Sequence, residues 1–377
     1  MMRSFVSVHS AWKFIATPHS HWKNSILRAI GTQCQSLAES HPRAYLLVAT
    51  TFALAGYACL LFFPWLVFRS VIGIHEVLFK SQSLDWIHLL IWLAVAMLSI
   101  LASYRIFLFR PALPSGVVLN KNTAPMLFQL VADQTRHYGG TGIDRIVLTS
   151  DFELDIVKTP RCALPMWSSS TLVIGLPLLQ CLSAPMFQCA LASRLGQLSR
   201  RSEWLENWLY QLRGIWPQYC AHEQGSVFGF QPVRWFFLIY APIYKVITVP
   251  AAHSNELAAD KCAMELFNDD EMLDTITTQM VCYRYLADEY WPAMQKIAAT
   301  GKETAGNLYP SMFSALHKVL HSDKAAHWLK RAVSTENQWD DAMPSLTRRV
   351  ENIGHTQARI STIVSKSAAN VYLAAAN

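Results

Sequence analysis

Two short stretches carry the spacing of a divalent-metal site without its ligands: Ser193-Arg194-Leu195-Gly196-Gln197, and Glu256-Leu257-Ala258-Ala259-Asp260 further along the chain. Residues at i and i+4 share one face of a helix. Two imidazoles at those positions, with a Glu directly after the first, hold zinc and activate a bound water. A carboxylate from a second helix completes such a set, and a further acid one turn later can orient one of the imidazoles. In this chain Ser193 and Gln197 stand at the two imidazole positions, and Arg194 stands at the general base. Glu256 remains where the third ligand belongs, and Asp260 where the orienting acid belongs.

These departures decide the expected chemistry. A hydroxyl is a poor zinc ligand and an amide oxygen a weak one beside imidazole. Arg194 places a permanent cation next to the metal position, since guanidinium does not deprotonate in proteins. No catalytic residue, no metal and no cofactor is therefore expected here, and Arg194 is expected to form an ion pair with Glu256. The alternative is a site rebuilt with zinc on substitute ligands such as His222 or His253. His253 lies three residues before Glu256, so it would share a helix face with it. His222-Glu223 begins like a metal motif, but Ser226 follows where a second His is needed. His317 and His321 are spaced i, i+4, with His327 nearby, yet no Glu sits between the pair.

The elements that must hold these residues are legible in part. Ser183 reads as an N-cap, with Pro185 in the first turn of a helix running through Ser193 and Gln197 to about Arg200. Ahead of it, Thr171-Leu172-Val173-Ile174 reads as a strand that Gly175-Leu176-Pro177 ends, and Ile146 to Thr149 as another. Thr123 is expected to cap a helix with Pro125 in its first turn, stopped after Tyr138 by Gly139-Gly140. Asn268-Asp269-Asp270-Glu271 reads as a solvated turn. Residues 254 to 365 alternate helical stretches with polar turns.

Composition places this assembly at a membrane. Charged residues make up 15% of the 377 and hydrophobic residues 52%, an imbalance that disfavours an ordinary soluble enzyme. Ala44 to Phe68 carries no charge and is bracketed by Arg43 and Arg69; Trp86 to Tyr104 is bounded by Asp85 and Arg105. Each run can cross roughly 30 Å of hydrocarbon as a helix. Trp65, Trp86 and Tyr104 lie near the ends, where amphipathic rings favour the interface. The tail before Arg43 holds Arg3, Lys13, Lys23 and Arg28 against Glu39, with no apolar core of signal-peptide type. Arg105, Arg110 and Lys121 follow the second run, so both flanks are expected inside and the Arg69 to Asp85 loop outside. Residues 110 to 116 read as a linker. Trp235 to Pro250 is too short and too interrupted by Pro242 and Lys245 for a third crossing, and reads as a buried or interfacial helix.

The net charge of +6 is modest and spread along the chain, which gives nucleic-acid binding little support. The eight cysteines show no C-x-x-C pair and read as buried thiols. The tryptophans and phenylalanines of 204 to 237 read as core packing or as a seat on the membrane surface.

With these motifs in order, the chain resembles the membrane-anchored zinc metallopeptidases of the HtpX and CAAX prenyl-endopeptidase (gluzincin) type, over roughly residues 115 to 365. Thr171 to Leu179 resembles the family's strand and turn ahead of the metal helix. Ala190 to Ser199 matches its A-x-L-A-H-E-L-G-H frame with the three chemical residues replaced, and Glu256 to Asp260 matches its E-x-x-A-D. Asp341-Ala342-Met343-Pro344-Ser345, with Arg349, resembles the late D-T-H-P-S…R segment, with Met343 in place of His. The resemblance implies an α+β, mainly helical domain with a small sheet over 110–377, behind a basic segment 1–43 and a transmembrane hairpin 44–109 with spans at about 44–68 and 86–104. It also implies a polypeptide groove along an edge strand, for which Thr171, Leu172, Val173, Ile174 and Arg349 are the candidates. The function it implies here is that of a pseudopeptidase in the inner membrane, with its N-terminus and large domain cytoplasmic. Such a protein would serve as a non-catalytic binding, regulatory or assembly subunit with the lipid bilayer and a protein or polypeptide as partners; the alternative is a divergent zinc metalloendopeptidase.

Overall fold

A computed structural model describes residues 21–79, 85–108, 115–139, 142–161, 164–197, 204–221, 231–299, 308–320, 322, 324–334, 341–360 and 367–373. The tail around Arg3 and Lys13, the linker up to residue 114, Arg200, His222-Glu223, Ser226 and His321 lie outside the described residues.

Among the described residues two helices are long and apolar enough to cross a membrane, or three if the bent pair Val233–Ile247 and Val249–Ala263 counts as one span. Helix α1 (His21–Ser40) leads into α2 (Pro42–Phe79), and α3 (Trp86–Leu108) packs back along α2. Helix α2 does not stop at Arg69, where the sequence suggested a loop; it continues to Phe79. The reason is a tertiary contact. The Arg69 guanidinium lies over the Trp92 ring, 5.0 Å from its centroid, so the charge has a partner on the neighbouring helix. Gly73 lets that indole sit against the α2 backbone, since a Cβ there would come within 2.4 Å of the Trp92 ring. The outward faces of both helices remain apolar and exposed, from Leu61 and Phe68 on α2 to Ile87 and Met97 on α3.

Beyond the hairpin lies a mainly helical body with one small mixed sheet. Strand β1 (Val117–Val118) precedes α4 (Pro125–Tyr138), which ends at Gly139 (φ 61°). Thr123 does not cap α4; its hydroxyl donates to the Asn120 carbonyl at 2.9 Å, closing the preceding turn instead. Strands β2 (Arg145–Thr149), β3 (Leu154–Arg161) and β4 (Leu164–Gly175) follow, and the sheet order is β1-β2-β4-β3. Strand β4 is parallel to β2, with Thr171 opposite Arg145, and antiparallel to β3, with Thr171 opposite Val157.

Helices α5 (Leu176–Cys181) and α6 (Ala184–Gly196) cover the sheet; Ser183 caps α6, its hydroxyl accepting from the Met186 amide. Then come α7 (Trp204–Ala221), α8 (Gln231–Ile247), α9 (Val249–Ala263) and α10 (Asp269–Tyr285). The acidic stretch after Asn268 is the first turn of α10, where three carboxylates meet the positive end of the helix and Glu271 accepts from the Asn268 amide. A π-helical turn (Leu286–Tyr290) leads to α11 (Trp291–Ala299), α12 (Leu308–Leu320), α13 (Lys324–Ser334), α14 (Leu346–Asn352) and α15 (Ala368–Tyr372).

The first half of α2 belongs to the body as much as to the hairpin. Tyr45, Ala49 and Ala53 are buried in one apolar cluster with Trp216, Phe237 and Tyr244. The Tyr240 hydroxyl donates to the Phe52 carbonyl at 2.6 Å, and the Tyr240 and Phe52 rings stack at 4.9 Å. Helices α8 and α9 meet at a bend of 52° around Thr248. The opposite face of α8 carries exposed Trp235, Leu238 and Ile239.

Candidate functional site

Helices α6 and α9 approach closely because Gly196 faces Cys262; a Cβ at 196 would stand 2.7 Å from the Cys262 Cβ. That approach brings the two sequence stretches together. Ser193, Gln197, Glu256 and Asp260 are all buried, and Arg194 reaches in from the half-buried side of α6.

Glu256 Oε1 accepts three hydrogen bonds. Arg194 Nη1 donates at 2.6 Å, Gln197 Nε2 at 3.0 Å and the Tyr210 hydroxyl at 3.3 Å. The expected Arg194–Glu256 ion pair is therefore formed, with 13% and 3% of the two side chains exposed. Asn207 fixes the end of α6 by donating from Nδ2 to the Gln197 carbonyl at 2.6 Å. Among the described residues Glu256 Oε2 is buried and accepts no hydrogen bond.

Asp260 forms the second half of the cluster. Arg349, from α14, clamps it in bidentate fashion, with Nη2 to Oδ1 at 2.7 Å and Nε to Oδ2 at 2.8 Å. Ser193 Oγ donates to the same Oδ1 at 3.0 Å. Ser345 caps α14 by accepting from the Arg348 amide, which sets the direction from which Arg349 enters. Met343, just before, packs its side chain against the main apolar core.

The electrostatics follow from this pairing. Burial raises the Glu256 carboxyl, but the charges of Arg194 and Arg349 and the donors on its oxygen outweigh it and hold the group below the ordinary carboxylate range. Burial lowers Arg194, but Glu256, Tyr210 and Asp155 together more than reverse that, so the guanidinium is more firmly protonated than in water. Asp155, on β3, is pushed up by burial despite the pull of Arg194, and the Glu256 charge adds to the rise.

Zinc does not fit this donor set. Both oxygens of Asp260 are taken, one oxygen of Glu256 is taken three times, and a guanidinium lies against the remaining acid. Among the described residues no three of His, Cys, Asp and Glu converge to hold a metal. His253 Nε2 is used elsewhere, donating to the Asp341 carbonyl at 3.1 Å. Burial lowers its pKa, which favours the neutral ring. Nor is Ser193 set up as a nucleophile, because its hydroxyl donates to a carboxylate that Arg349 already neutralises. The cluster ties α6, α9 and α14 together through buried charge.

One sequence expectation is overturned. Thr171 to Ile174 is no edge; β2 and β3 fill both its sides, and all four residues are buried. The apolar run suits a central strand better than an exposed one. Arg349, placed with that groove, is instead sealed against Asp260. Among the described residues the sheet edge beside α6 is β3, which carries Lys158 and Pro160, residues that blunt an edge. Tyr210, Asn207 and Asp155 join the site without any spacing signal, since they come from elements that meet α6 and α9 only in three dimensions.

Among known proteins, no family model, no curated protein and no solved structure matches this chain.

Proposed function

We propose that this chain is a membrane-bound pseudopeptidase, a degenerate member of the HtpX and CAAX prenyl-endopeptidase type, acting as a non-catalytic binding, regulatory or assembly subunit. One observation carries the reading: Arg194 occupies the general-base position of the frame and lies 2.6 Å from Glu256, the would-be third ligand. A guanidinium there takes up the acid that would otherwise serve a metal. Four motif fragments in family order support the same reading, as does the convergence of Ser193, Gln197, Glu256 and Asp260 at one point between α6 and α9.

On this reading the hairpin lies in the inner membrane, with the N-terminus and the large domain on the cytoplasmic side, where the basic flanks belong. The apolar exposed face of α8 rests against lipid, continuous with that of α2. The partner is a polypeptide, and the free edge of β3 offers it main-chain hydrogen bonds by strand addition.

The test has two arms. Elemental analysis of detergent-purified protein should give a zinc content near zero, unchanged in Glu256→Ala. One zinc per chain, lost in that variant, would overturn the reading in favour of a divergent metallopeptidase. Photo-crosslinking from position 158 in native membranes should give a polypeptide adduct, and a chain that captures none would sink the binding role.

A further inference from the structure

A concavity lies on the neighbouring face of α9, one residue along from Glu256 and Asp260. Its volume is about 470 Å³, within the range of small-molecule sites. It is walled by α1, the first turn of α2, the start of α7, α9 and α14. Pro42, Leu46, Val249 and Leu257 give it an apolar part. Glu39 and Glu206 stand on the α1 and α7 side, Lys261 and Arg348 on the α9 and α14 side. Neither Lys261 nor Arg348 forms an ion pair among the described residues.

The height of this cavity matters as much as its lining. Tyr45 lines it and pins α2 to the α8–α9 junction: its hydroxyl donates to the Ile247 carbonyl and accepts from the Ala251 amide, both at 3.0 Å. Directly after Leu46, α2 presents exposed Leu47 and Val48, the beginning of its outward apolar face. The cavity therefore opens at the end of a candidate membrane helix, at the level of lipid headgroups.

We infer that this cavity binds the headgroup of an aminophospholipid, its phosphate held by Arg348 and Lys261 and its ammonium by Glu39 and Glu206. A cavity with both signs of charge and an apolar part matches a zwitterion with acyl chains. Arginine and lysine donate charge-assisted hydrogen bonds to phosphate, and basic pockets beside membrane helices recognise headgroups in this way. A primary ammonium donates to carboxylates; a choline cannot, and a glycerol headgroup carries no cation for Glu39 to meet. The inference rests on the membrane placement of α2 and not on the loss of peptidase chemistry.

Native mass spectrometry of the full chain, released from vesicles of equal phosphatidylethanolamine, phosphatidylcholine and phosphatidylglycerol, tests it. Phosphatidylethanolamine should be retained over the other two, and Arg348→Ala with Lys261→Ala should lower that retention about tenfold. Glu39→Gln should abolish the preference over phosphatidylcholine. Equal retention of all three lipids, or variants that retain as the parent does, would overturn the site. Water-soluble glycerophosphoethanolamine should not displace the lipid at matched concentration; displacement would overturn the lipid assignment. Melting curves of the variants, expected to match the parent because Arg348, Lys261 and Glu39 are exposed, separate lost binding from lost folding. Absence of every lipid, with the melting curve intact, would fault the membrane placement itself and overturn the inference with it.

Discussion

The Arg194 guanidinium donates to the Glu256 carboxylate across 2.6 Å, from α6 to α9. A buried pair of this kind adds little net stability over a well-packed apolar pair, but removing one partner leaves an uncompensated charge. Arg194→Ala should therefore destabilise the protein by about 3–5 kcal/mol. Arg194→Met combined with Glu256→Gln should recover most of that loss, because no charge is stranded. Denaturant unfolding of the single and double variants measures the coupling. A neutral Arg194→Ala would mean that the pair has no structural role.

The pairing was legible in the sequence because the resemblance sets Ser193 to Gln197 against Glu256 to Asp260. The same holds for the cap at Ser183 and for the strands containing Ile146 and Thr171. What was not legible arises from the third dimension. Strand β3 alternates weakly and carries Lys158 and Pro160, so it has little periodic signal, and it fills the side of Thr171 to Ile174 that the resemblance implied to be an open edge. Helix α2 runs past Arg69 because Trp92, on another helix, covers the charge. Tyr210 and Asn207 reach the site from α7 at positions that look like an ordinary helix face.

Arg349 is held to Asp260 by two hydrogen bonds in one plane, with 5% and 0% of the two side chains exposed. Lysine is a point charge without the fork that makes this contact. Arg349→Lys should thus fail to rescue: it should destabilise by about 2–4 kcal/mol, close to Arg349→Ala, as read from the midpoint of chemical unfolding. Full stability in the lysine variant would show that charge alone suffices at this position.

The frame itself can be challenged by restoring what it lacks. Ser193 donates to Asp260 and Gln197 to Glu256, so imidazoles at 193 and 197 would meet the acids that should orient one and join the other at a metal. The triple variant Ser193→His, Arg194→Glu, Gln197→His should bind about one zinc per chain, the share of a His, His, Glu site. Each single variant should bind none. Elemental analysis after dialysis against a weak chelator distinguishes them; an empty triple variant would argue that the spacing is not that of a metal frame.

Glu153 links the sheet to pH. Burial pushes its carboxyl up to about 7, with Asp151 and Asp155 adding to the rise and the Thr149 hydroxyl opposing it. An unfolded Glu titrates near about 4.3, so between that value and 7 the folded state holds a proton that the unfolded state has lost. Stability should fall as pH rises through this window. Glu153→Gln, which keeps an acceptor for Thr149, should be more stable than the parent at pH 8 by about 1–2 kcal/mol, discounted for partial exposure, and equal to it at pH 4. Parallel stability curves for the two proteins would remove Glu153 as the cause.

The exposed face of α8 bears on where the body sits. Trp235 and Ile239 are 63% and 67% exposed, Leu238 lies between them, and the helix behind them is fastened to α2 by the Tyr240–Phe52 contact. A face of this kind in water is an aggregation hazard, whereas beside a candidate membrane helix it adds to an apolar surface suited to lipid. The bend of 52° at Thr248 turns α9 away from that face, and Glu256 and Asp260 on α9 lie in the buried polar cluster. Nitroxides placed by Leu238→Cys and Ile239→Cys, in a background cleared of other cysteines, should in vesicles be accessible to oxygen and shielded from a nickel chelate. A label at exposed Lys324 should show the reverse. Labels at 238 and 239 that behave like the one at 324 would place α8 in water and require another cover for its apolar face.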